Sequence, residues 1–342
     1  MKLALMFLCF FSFSFSFLVS AESFNIYGNE KLDVSRNDIN AHGGGVIYSK
    51  GVYYWYGEYR DGALTQKVSL YKSINMKDWS YCGIILDVSK KHPDFNIERP
   101  KIIYNKKSKK FVMWFHQEIK NNFNIASAGV AQSSTINGPF TLLKTFRPNA
   151  NAKSFNLIER SDGSEDEKKA NNIYLRDFTK GQMFRDMSLF VDDDERAYVI
   201  YTSEDNYTLH ISLLNDDYTN VTDKYIRVMI GKKSEAPTLF KRKGLYYIIA
   251  SGLHGYAPTI TKLAISNSIF GKWKEFPTPF KSERLDMVRN SFYSQTSFVF
   301  KIPGKDKYLY MADRWKRGAL NKSTYIWLPI TWKDSMPEIY WH

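Results

Sequence analysis

The sequence repeats one short pattern five times. Each copy starts with a polar residue, continues as an apolar run, turns, and ends in a second run of aromatic and β-branched residues, which together predict a β-hairpin. Two copies match closely, because His42 to Gly51 and Glu235 to Gly244 are both nine steps along the chain. A unit that recurs five times indicates a repeat architecture. The five copies open at His42, Glu98, Asp186, Glu235 and Gln295.

After each hairpin comes a third strand of small and polar residues, and often a fourth strand marked by tryptophan or a Gly-Pro pair. Repeats of about 50 residues with four strands each are typical of a β-propeller. Stretches with helical period are short, and the 16% aromatic content fits strands and sugar-stacking surfaces. The sequence therefore predicts an all-β fold, a five-bladed β-propeller that forms one domain over residues 22–342.

One segment, at about 150–183, interrupts the repeat. It carries eight charged residues between Glu159 and Lys169, which a four-stranded blade does not need. A loop of this length is either functional or a solvated insertion. We expect a surface loop; the alternative is a segment whose arms border the cleft.

The N-terminus looks like an export signal. Lys2 precedes an apolar run from Leu3 to Val19, and Val19-Ser20-Ala21 provides the small residues of a cleavage site. This pattern predicts a signal peptide over residues 1–21, cleaved after Ala21, and a secreted or periplasmic product. The alternative is an uncleaved anchor helix. The mature chain would keep only Cys82 and form no internal disulfide.

The chain is basic, with a formal net charge of +13. Its lysines are scattered through turns, without the helical basic stripe or motif that would indicate a nucleic-acid partner. We therefore expect no nucleic-acid partner, and we predict a monomer without a membrane span after signal cleavage. The aromatic residues would suit an oligosaccharide or polysaccharide partner, because their faces can stack on sugars. A basic surface would suit an acidic, glucuronate-bearing polysaccharide.

The five opening residues are the strongest functional signal. In a propeller the first strand of each blade runs beside the central channel, so residues that begin equivalent strands converge at one mouth. Three carboxylates, an imidazole and an amide would meet there. Carboxylates in such proximity raise one another's pKa, which suits one of them to act as a protonated acid near neutral pH. A bound cation could offset the charges instead.

Each opening carboxylate also has a structural explanation. Glu98 and Asp186 stand beside Arg99 and Arg185 in the sequence, so each could form an ion pair with its neighbour. Glu235 could be satisfied by backbone N–H groups at the end of its strand. These alternatives are separated from a catalytic role only by the geometry of the site.

Five short motifs surround the opening residues of the repeats. They are NAHGGG at 40–45, ERPK at 98–101, RDMSLF at 185–190, SEAP at 234–237 and SQT at 294–296. These motifs resemble those of glycoside hydrolase family 43. Within the family the sequence is most similar to the branch of exo-β-1,3-galactanases and related arabinogalactan-degrading enzymes, and the likeness covers nearly all of the mature chain.

The resemblance implies inverting hydrolysis. Inversion needs one group to protonate the leaving oxygen and another to activate water on the opposite face of the sugar. By position, Glu235 is implied as the general acid and Asp186 as the residue that tunes its pKa and orients it. The chemistry needs no cofactor and we predict no metal ligand, although a structural cation in the central channel is left open.

The group that activates water is less clear in this sequence. Many family members place an aspartate base in blade one, where this chain has Asn40 and His42. In the galactanase branch a blade-two glutamate and a blade-five glutamine surround the water, and these correspond to Glu98 and Gln295. Glu98 as a conventional base and Gln295 acting through its imidic tautomer both stay open.

Residue type suggests the walls of the sugar site. Trp55 and Trp315 offer flat faces for stacking against sugar C–H groups, while polar side chains near strand ends can bind hydroxyls. The hydroxyl-binding candidates are His42, Glu58, Arg99, His116, Glu204 and Arg314.

We therefore expect a secreted inverting exo-glycosidase that acts on plant-type arabinogalactan. Its type would be an exo-β-1,3-galactanase or an α-L-arabinofuranosidase, removing galactosyl, arabinofuranosyl or galactofuranosyl units. The main alternative is a non-catalytic propeller that binds glycans, favoured by the absent blade-one aspartate. A retaining fructan hydrolase is a further alternative, but it would need a nucleophilic aspartate in blade one, where Asp38 lies four residues before His42.

Overall fold

A computed structural model describes residues 39–157 and 163–341. It confirms the five-bladed β-propeller, with five sheets in each of which four strands follow one another in chain order and pair antiparallel. The predicted signal peptide lies outside the described residues. Within them, no helix is both long and apolar enough to cross a membrane.

Blades one and two each have four strands. Blade one consists of β1 (His42–Ser49), β2 (Val52–Tyr59), β3 (Lys67–Ser73) and β4 (Ser80–Asp87). Blade two consists of β5 (Phe95–Asn105), β6 (Lys110–Ile119), β7 (Asn122–Ser133) and β8 (Thr141–Phe146). An insertion with helix α1 (Glu165–Arg176) separates blade two from blade three.

Blades three and four repeat this plan. Blade three consists of β9 (Met187–Val191), β10 (Ala197–Ser203), β11 (Thr208–Leu214) and β12 (Val221–Val228). Blade four consists of β13 (Ser234–Arg242), β14 (Leu245–Gly252), β15 (Lys262–Ser266) and β16 (Lys274–Phe276).

Blade five has an additional edge strand. Its strands are β17 (Phe280–Lys281), β18 (Gln295–Lys301), β19 (Tyr308–Arg314), β20 (Thr324–Lys333) and β21 (Met336–Tyr340). The short β17 pairs in parallel with β21 at the outer edge. A short helix α2 (Leu285–Arg289) and a 3₁₀ turn (Ser291–Tyr293) connect β17 to β18, and a second 3₁₀ turn (Leu320–Lys322) precedes β20.

The matched hairpins of blades one and four have the same turn. Lys50 and Gly51 have φ of 50° and 86°, and Lys243 and Gly244 have φ of 48° and 80°. Two consecutive left-handed residues form the type I′ turn, whose twist suits a two-residue hairpin and favours glycine. The equal nine-residue spacing in the sequence therefore reports a shared turn geometry.

Each seam between neighbouring blades has its own hydrophobic cluster. At the seam between blades five and one, Trp55 packs against Trp327 with ring centroids 4.5 Å apart and against Trp79 at 5.5 Å. Trp55 is 1% exposed, so its predicted role as a sugar-stacking wall is wrong. Strand alternation turns its ring into the seam between two blades.

Hydrogen bonds also close the ring between the last blade and the first. The Tyr325 hydroxyl donates to the Ile39 carbonyl at 2.8 Å and accepts from the Ala41 N–H at 3.0 Å. The Gly43 N–H donates to the Asp313 carboxylate at 3.2 Å. The start of β1 is therefore fixed by β19 and β20 of blade five.

The insertion is a packed helix, so the expected surface loop is wrong. Ser164 and Glu167 form a reciprocal capping box at the start of α1. The buried face of α1 lies on blade three, where the Tyr174 hydroxyl is 2.8 Å from the Tyr225 hydroxyl. The part of the charged run that the structure describes, from Glu165 to Lys169, thus belongs to the capped start of a helix that covers β12.

Candidate active site

The inner strands share a distortion at one mouth of the channel. In blades one, two and four the residue after the opening residue has left-handed backbone, with φ of 57° at Gly43, 53° at Arg99 and 49° at Ala236. The strand register shifts at each of these points. Bulges of this kind redirect side chains at functional sites. Here they aim the opening residues of blades two and four at the axis.

A cavity of about 230 Å³ lies at this mouth, and all five blades contribute to it. It is smaller than the roughly 300–1,000 Å³ typical of pockets for drug-sized ligands, and suits a single sugar unit. Four of the five opening residues line it. The lining residues are Glu58, Arg60, Glu98, Arg99, His116, Phe123, Arg185, Asp186, Asn206, Glu235, Gly255, Tyr256, Gln295 and Trp315.

Glu235 carries a proton at neutral pH. Burial and the neighbouring Asp186 charge raise its pKa from 4.5 to about 8, although Arg99 and the backbone amide of His254 act in the opposite direction. Oε1 accepts a hydrogen bond from the Asn206 amide at 2.9 Å. Oε2 is buried and has no hydrogen-bond partner among the described residues. A buried carboxyl with one uncommitted oxygen can deliver a proton to a ligand.

Asp186 is held between blades two and four. Its Oδ2 lies 3.1 Å from Arg99 Nε and accepts from the Ala236 N–H at 3.0 Å. Because Ala236 follows Glu235 directly, this contact fixes the two carboxyl groups relative to each other. Asp186 is therefore placed to influence the protonation of Glu235.

The Arg99 guanidinium is a hub at the axis. It donates to the Thr296 carbonyl at 2.7 Å and to Oε1 of Gln295, and its backbone N–H donates to Glu58 at 2.8 Å. Together with Asp186, these contacts link blades one, two, three and five. The predicted contact of Arg99 with substrate stays a prediction, but most of its donors already have protein acceptors.

Glu98 belongs to a row of three ionisable side chains in blade two, in which His116 lies between Glu98 and Glu118. Its Oε2 lies 3.2 Å from Nδ1 of His116, and Nε2 of the same ring lies 2.9 Å from Glu118. Burial favours the neutral imidazole, but Glu118 and Glu98 outweigh it and raise the pKa of His116 to about 9. Burial likewise favours a protonated Glu98, but His116, Arg60 and Arg99 lower its pKa to about 2. Glu98 is therefore ionised and His116 is an imidazolium at neutral pH.

Gln295 is fixed in orientation by three neighbours. Its Oε1 accepts from Arg99 and from the Trp315 indole N–H at 2.7 Å, and its Nε2 donates to the Ser251 hydroxyl at 3.3 Å. The Trp315 ring in turn lies under the Arg60 guanidinium, 5.2 Å from its centroid. The predicted wall residue Trp315 lines the cavity and also orients Gln295.

Glu58 lines the cavity as the carboxylate of blade one. Its Oε2 accepts from Arg60 Nε at 2.7 Å, and its Oε1 accepts from the Arg99 N–H. Glu58 pairs across the strands with His42, so β2 supplies the charge that β1 does not. Burial, set against Arg60, raises the pKa of Glu58.

Three further predicted contact residues lie away from the cavity. His42 is 0% exposed and stacks on Tyr325 with ring centroids 5.1 Å apart, behind the cavity wall. Glu204 is 0% exposed and forms a buried ion pair with Arg227. Arg314 donates to the Phe292 carbonyl at 3.2 Å and is not among the lining residues. The predicted contact with substrate is wrong for His42 and Glu204, because both side chains are fully buried against protein partners. For Arg314, which is partly exposed, the contact stays a prediction.

Sequence reasoning missed residues that follow the second strand of a blade. These positions are the start of a loop that reaches over the mouth, which strand periodicity does not reveal. The sequence indicated this region in part, since polar side chains near strand ends were expected to bind sugar hydroxyls. The missed lining residues of this kind are Arg60, Phe123, Asn206, Gly255 and Tyr256, and Arg185, directly before Asp186, was missed as well.

Three potential metal ligands lie together in the cavity. Donor atoms of Glu98, His116 and Asp186 are all within 4.8 Å of one another. His116 is protonated at neutral pH and Arg99 already pairs with Asp186, so protein cations neutralise this group. The absence of a cofactor requirement stays a prediction.

The protonated carboxyl of Glu235 and the ionised carboxylate of Glu98 line the same small cavity. This arrangement is what hydrolysis of a glycosidic bond requires, because the acid protonates the leaving oxygen while the opposite face handles water. The fold and the site define a glycoside hydrolase. The family profile described as "Glycosyl hydrolases family 43" matches residues 168–337.

Solved structures extend the match to nearly the whole chain. A family 43 β-1,3-galactosidase solved with galactodeoxynojirimycin is 39% identical, with a TM-score of 0.86 over 92% of this chain and 98% of that one. An exo-β-1,3-galactanase from Clostridium thermocellum is 34% identical, with a TM-score of 0.77 over 92% of this chain and 64% of that one. The chain belongs to glycosyl hydrolase family 43.

A third relative was solved with an oligosaccharide. An exo-β-1,3-galactanase variant from Phanerochaete chrysosporium, solved with β-1,3-galactotriose, is 31% identical, with a TM-score of 0.75 over 91% of this chain and 65% of that one. This chain thus spans about two thirds of the two galactanase chains. No curated protein matches it.

Proposed function

We propose that this protein is an inverting exo-β-1,3-galactanase that removes single galactose units from the end of a β-1,3-galactan. The observation that carries the proposal is the one-sugar cavity with the protonated Glu235 at its wall. A cavity of this size accepts a chain end rather than the middle of a polymer. The choice of galactose rests on the names of the similar structures.

Glu235 acts as the general acid in this proposal, and Asp186 tunes and orients it. At neutral pH Glu235 holds the proton that the leaving oxygen needs, and its Oε2 is uncommitted. Asp186 stays beside it through the Ala236 N–H, so the acid and its tuning charge are fixed by adjacent backbone. No metal or cofactor takes part.

Glu98 and Gln295 are both proposed to surround the attacking water. With a pKa of about 2, Glu98 is a weak proton acceptor, which favours a role in orienting water over a role as the base. Gln295 presents an amide whose oxygen is already held by Arg99 and Trp315. A comparison of Glu98→Gln with Gln295→Ala separates the two, because the variant lacking the base loses the larger factor in kcat.

Product analysis tests the function. The enzyme is incubated with β-1,3-galactan, arabinan, arabinoxylan and a galactofuranoside, and products are separated by anion-exchange chromatography. We expect galactose alone from the galactan, with the α-anomer formed first in NMR spectra because the β-linkage is inverted. Release of arabinose instead would move the proposal to an α-L-arabinofuranosidase.

Two outcomes would overturn the catalytic assignment. Glu235→Gln should lose several orders of magnitude in kcat, so near-normal hydrolysis by this variant contradicts the acid role. Glycan binding without any product after long incubation would instead support the non-catalytic propeller. Arabinogalactan as the natural substrate, and export after cleavage behind Ala21, are proposals that substrate panels and N-terminal sequencing of the exported product test.

A further inference from the structure

The loop that holds the acid has an unusual backbone. Glu204, Asp205 and Asn206 follow β10 with φ of 55°, 52° and 68°, three consecutive residues in the left-handed region. None is glycine, so the surrounding structure has to impose this conformation. The third residue donates from its amide to Oε1 of Glu235 at 2.9 Å. The strained loop therefore ends on the proposed general acid.

Glu204 anchors this loop inside the protein. Its two carboxylate oxygens accept from Arg227 Nε at 2.7 Å and from Arg227 Nη2 at 2.8 Å, a bidentate pair. His210 Nε2 lies 2.7 Å from Oε1 of the same carboxylate. Glu204 and Arg227 are 0% and 2% exposed. A fully buried ion pair adds little stability over well-packed apolar side chains, but it fixes geometry because its bonds are directional.

Helix α1 closes over this pair from outside. Asn171 on α1 accepts from Arg227 Nη1 at 3.2 Å, and the Tyr174 ring lies 4.5 Å from the guanidinium carbon. The sheet of blade three is already complete with β12, so α1 is not needed to finish the blade. The insertion instead keeps water away from the ion pair that anchors the loop.

The same helix also holds the surface of the loop. Arg176 at the end of α1 lies 3.3 Å from Asp205, while Arg185 lies 3.8 Å from the same carboxylate. Lys233, two residues before Glu235, pairs with Asp166 on α1 at 2.9 Å. The helix thus contacts both the loop that bears Asn206 and the segment that leads to the acid.

We infer that the buried Glu204–Arg227 pair, enclosed by helix α1, is a positioning device for the general acid that acts through Asn206. This inference rests on the proposed function of Glu235. Glu204 and Arg227 touch neither the cavity nor the substrate, so they are positioning residues. The insertion, which the propeller fold does not require, thereby supports the general acid from outside the cavity through Asn171, Tyr174 and Arg176.

A double-mutant cycle tests whether Glu204 acts through Asn206. Asn206→Ala should lower kcat on β-1,3-galactobiose roughly ten- to a hundred-fold, the range expected for a hydrogen bond to an ionisable group. Glu204→Gln keeps the shape of the side chain and should lower kcat in the same direction. The double variant should be no slower than Asn206→Ala alone. Glu204 acts through the Asn206 hydrogen bond, so its loss has no further effect once that bond is absent.

A change of leaving group separates positioning of the acid from general damage. A dinitrophenyl β-galactoside leaves without needing a proton, whereas galactobiose needs the acid. Glu204→Gln and Asn206→Ala should therefore lose much less kcat on the dinitrophenyl substrate than on galactobiose. A merely structural role would lower both rates equally.

A surface variant covers the case in which Glu204→Gln does not fold. Arg176→Ala removes the contact of α1 with Asp205, together with the bidentate contact of Arg176 with Asp177. It should reduce kcat on galactobiose by about two- to five-fold, as for an exposed ion pair. Lys168→Ala, on the same helix, loses an exposed ion pair with Glu165; it is the matched control and should keep full activity.

The outcomes distinguish this inference from the proposed function. Multiplicative losses in the double variant, or equal losses on both substrates, overturn the positioning role while leaving Glu235 as the acid. If Glu235→Gln itself loses equally on both substrates, the acid role fails and the inference fails with it. Wild-type activity in folded Glu204→Gln, with an unchanged leaving-group ratio, also overturns the inference.

Discussion

Glu235 should destabilise the folded protein at the pH where it works. Burial and Asp186 raise its pKa from 4.5 to about 8 in the folded state, so the folded chain holds a proton that the unfolded chain releases above pH 4.5. Stability falls with pH wherever the folded state binds more protons than the unfolded state. The contribution of Glu235 is therefore complete below pH 4.5 and is lost as the pH rises toward 8. Glu235→Gln does not titrate and should escape this loss.

The size of the effect follows from the two pKa values. One pKa unit corresponds to about 1.4 kcal/mol, so the advantage of Glu235→Gln over the wild type should grow from pH 4.5 by on the order of 3 kcal/mol at pH 7 and 5 kcal/mol above pH 8. For a domain of this size, about 2 °C per kcal/mol gives a Tm gain of roughly 6 °C at pH 7. The Asn206 hydrogen bond is kept, because the glutamine carbonyl oxygen can accept it.

Thermal unfolding at several pH values measures this gain. The Tm of the variant minus that of the wild type should be near its minimum at pH 4.5 and should rise through neutral pH to a plateau above pH 8. Glu283→Gln, at an exposed position outside the cavity, is the matched control and should give a difference close to zero. A Tm difference for Glu235→Gln that does not change with pH would refute the assigned pKa, and with it the physical basis of the acid role.

Two further predictions concern the pH dependence of kcat/KM. Asp186→Asn removes a charge that raises the pKa of Glu235, so the alkaline fall in activity should move from about pH 8 toward lower pH by roughly one unit; an unmoved alkaline limb contradicts this coupling. His116→Gln removes the imidazolium that lowers the pKa of Glu98 to about 2, so activity should be lost at mildly acidic pH where the wild type retains it; a profile identical to wild type would show that ionised Glu98 is not required.

The fold was predictable because each repeat is recognisable from its strand periodicity and its turn residues. Two left-handed residues at Lys50-Gly51 and at Lys243-Gly244 produce the equal hairpins that made two copies recognisable. The insertion was misjudged for a physical reason. Its charges read as a solvated loop, but the helix they cap is held by Tyr174, whose contact with Tyr225 spans 51 residues and has no local signal.

Side-chain direction was the less predictable part of the site. Trp55 lies within β2 and packs into the seam of blades five and one, whereas Trp315 directly follows β19 and lines the cavity. His42 opens its strand like the other opening residues, but its ring stacks on Tyr325 and the cavity receives Glu58 from the partner strand instead. The position along the chain was correct, whereas the face depended on bulges and on packing between blades.

The ion pairs decide which carboxyl is the acid, and they are not the pairs that the sequence suggested. Glu98 contacts His116 rather than Arg99, and Asp186 contacts Arg99 rather than Arg185.

Three carboxylates in the cavity thus have a cation within ion-pair distance, since Glu58 pairs with Arg60. Glu235 has none among the described residues, and its Oε1 accepts instead from the neutral Asn206 amide. A buried carboxyl beside Asp186 and without its own cation is more stable when protonated. Which carboxyl stays protonated therefore depends on which carboxylates have a cationic partner. These partners come partly from other blades, so they cannot be read from neighbours in the sequence.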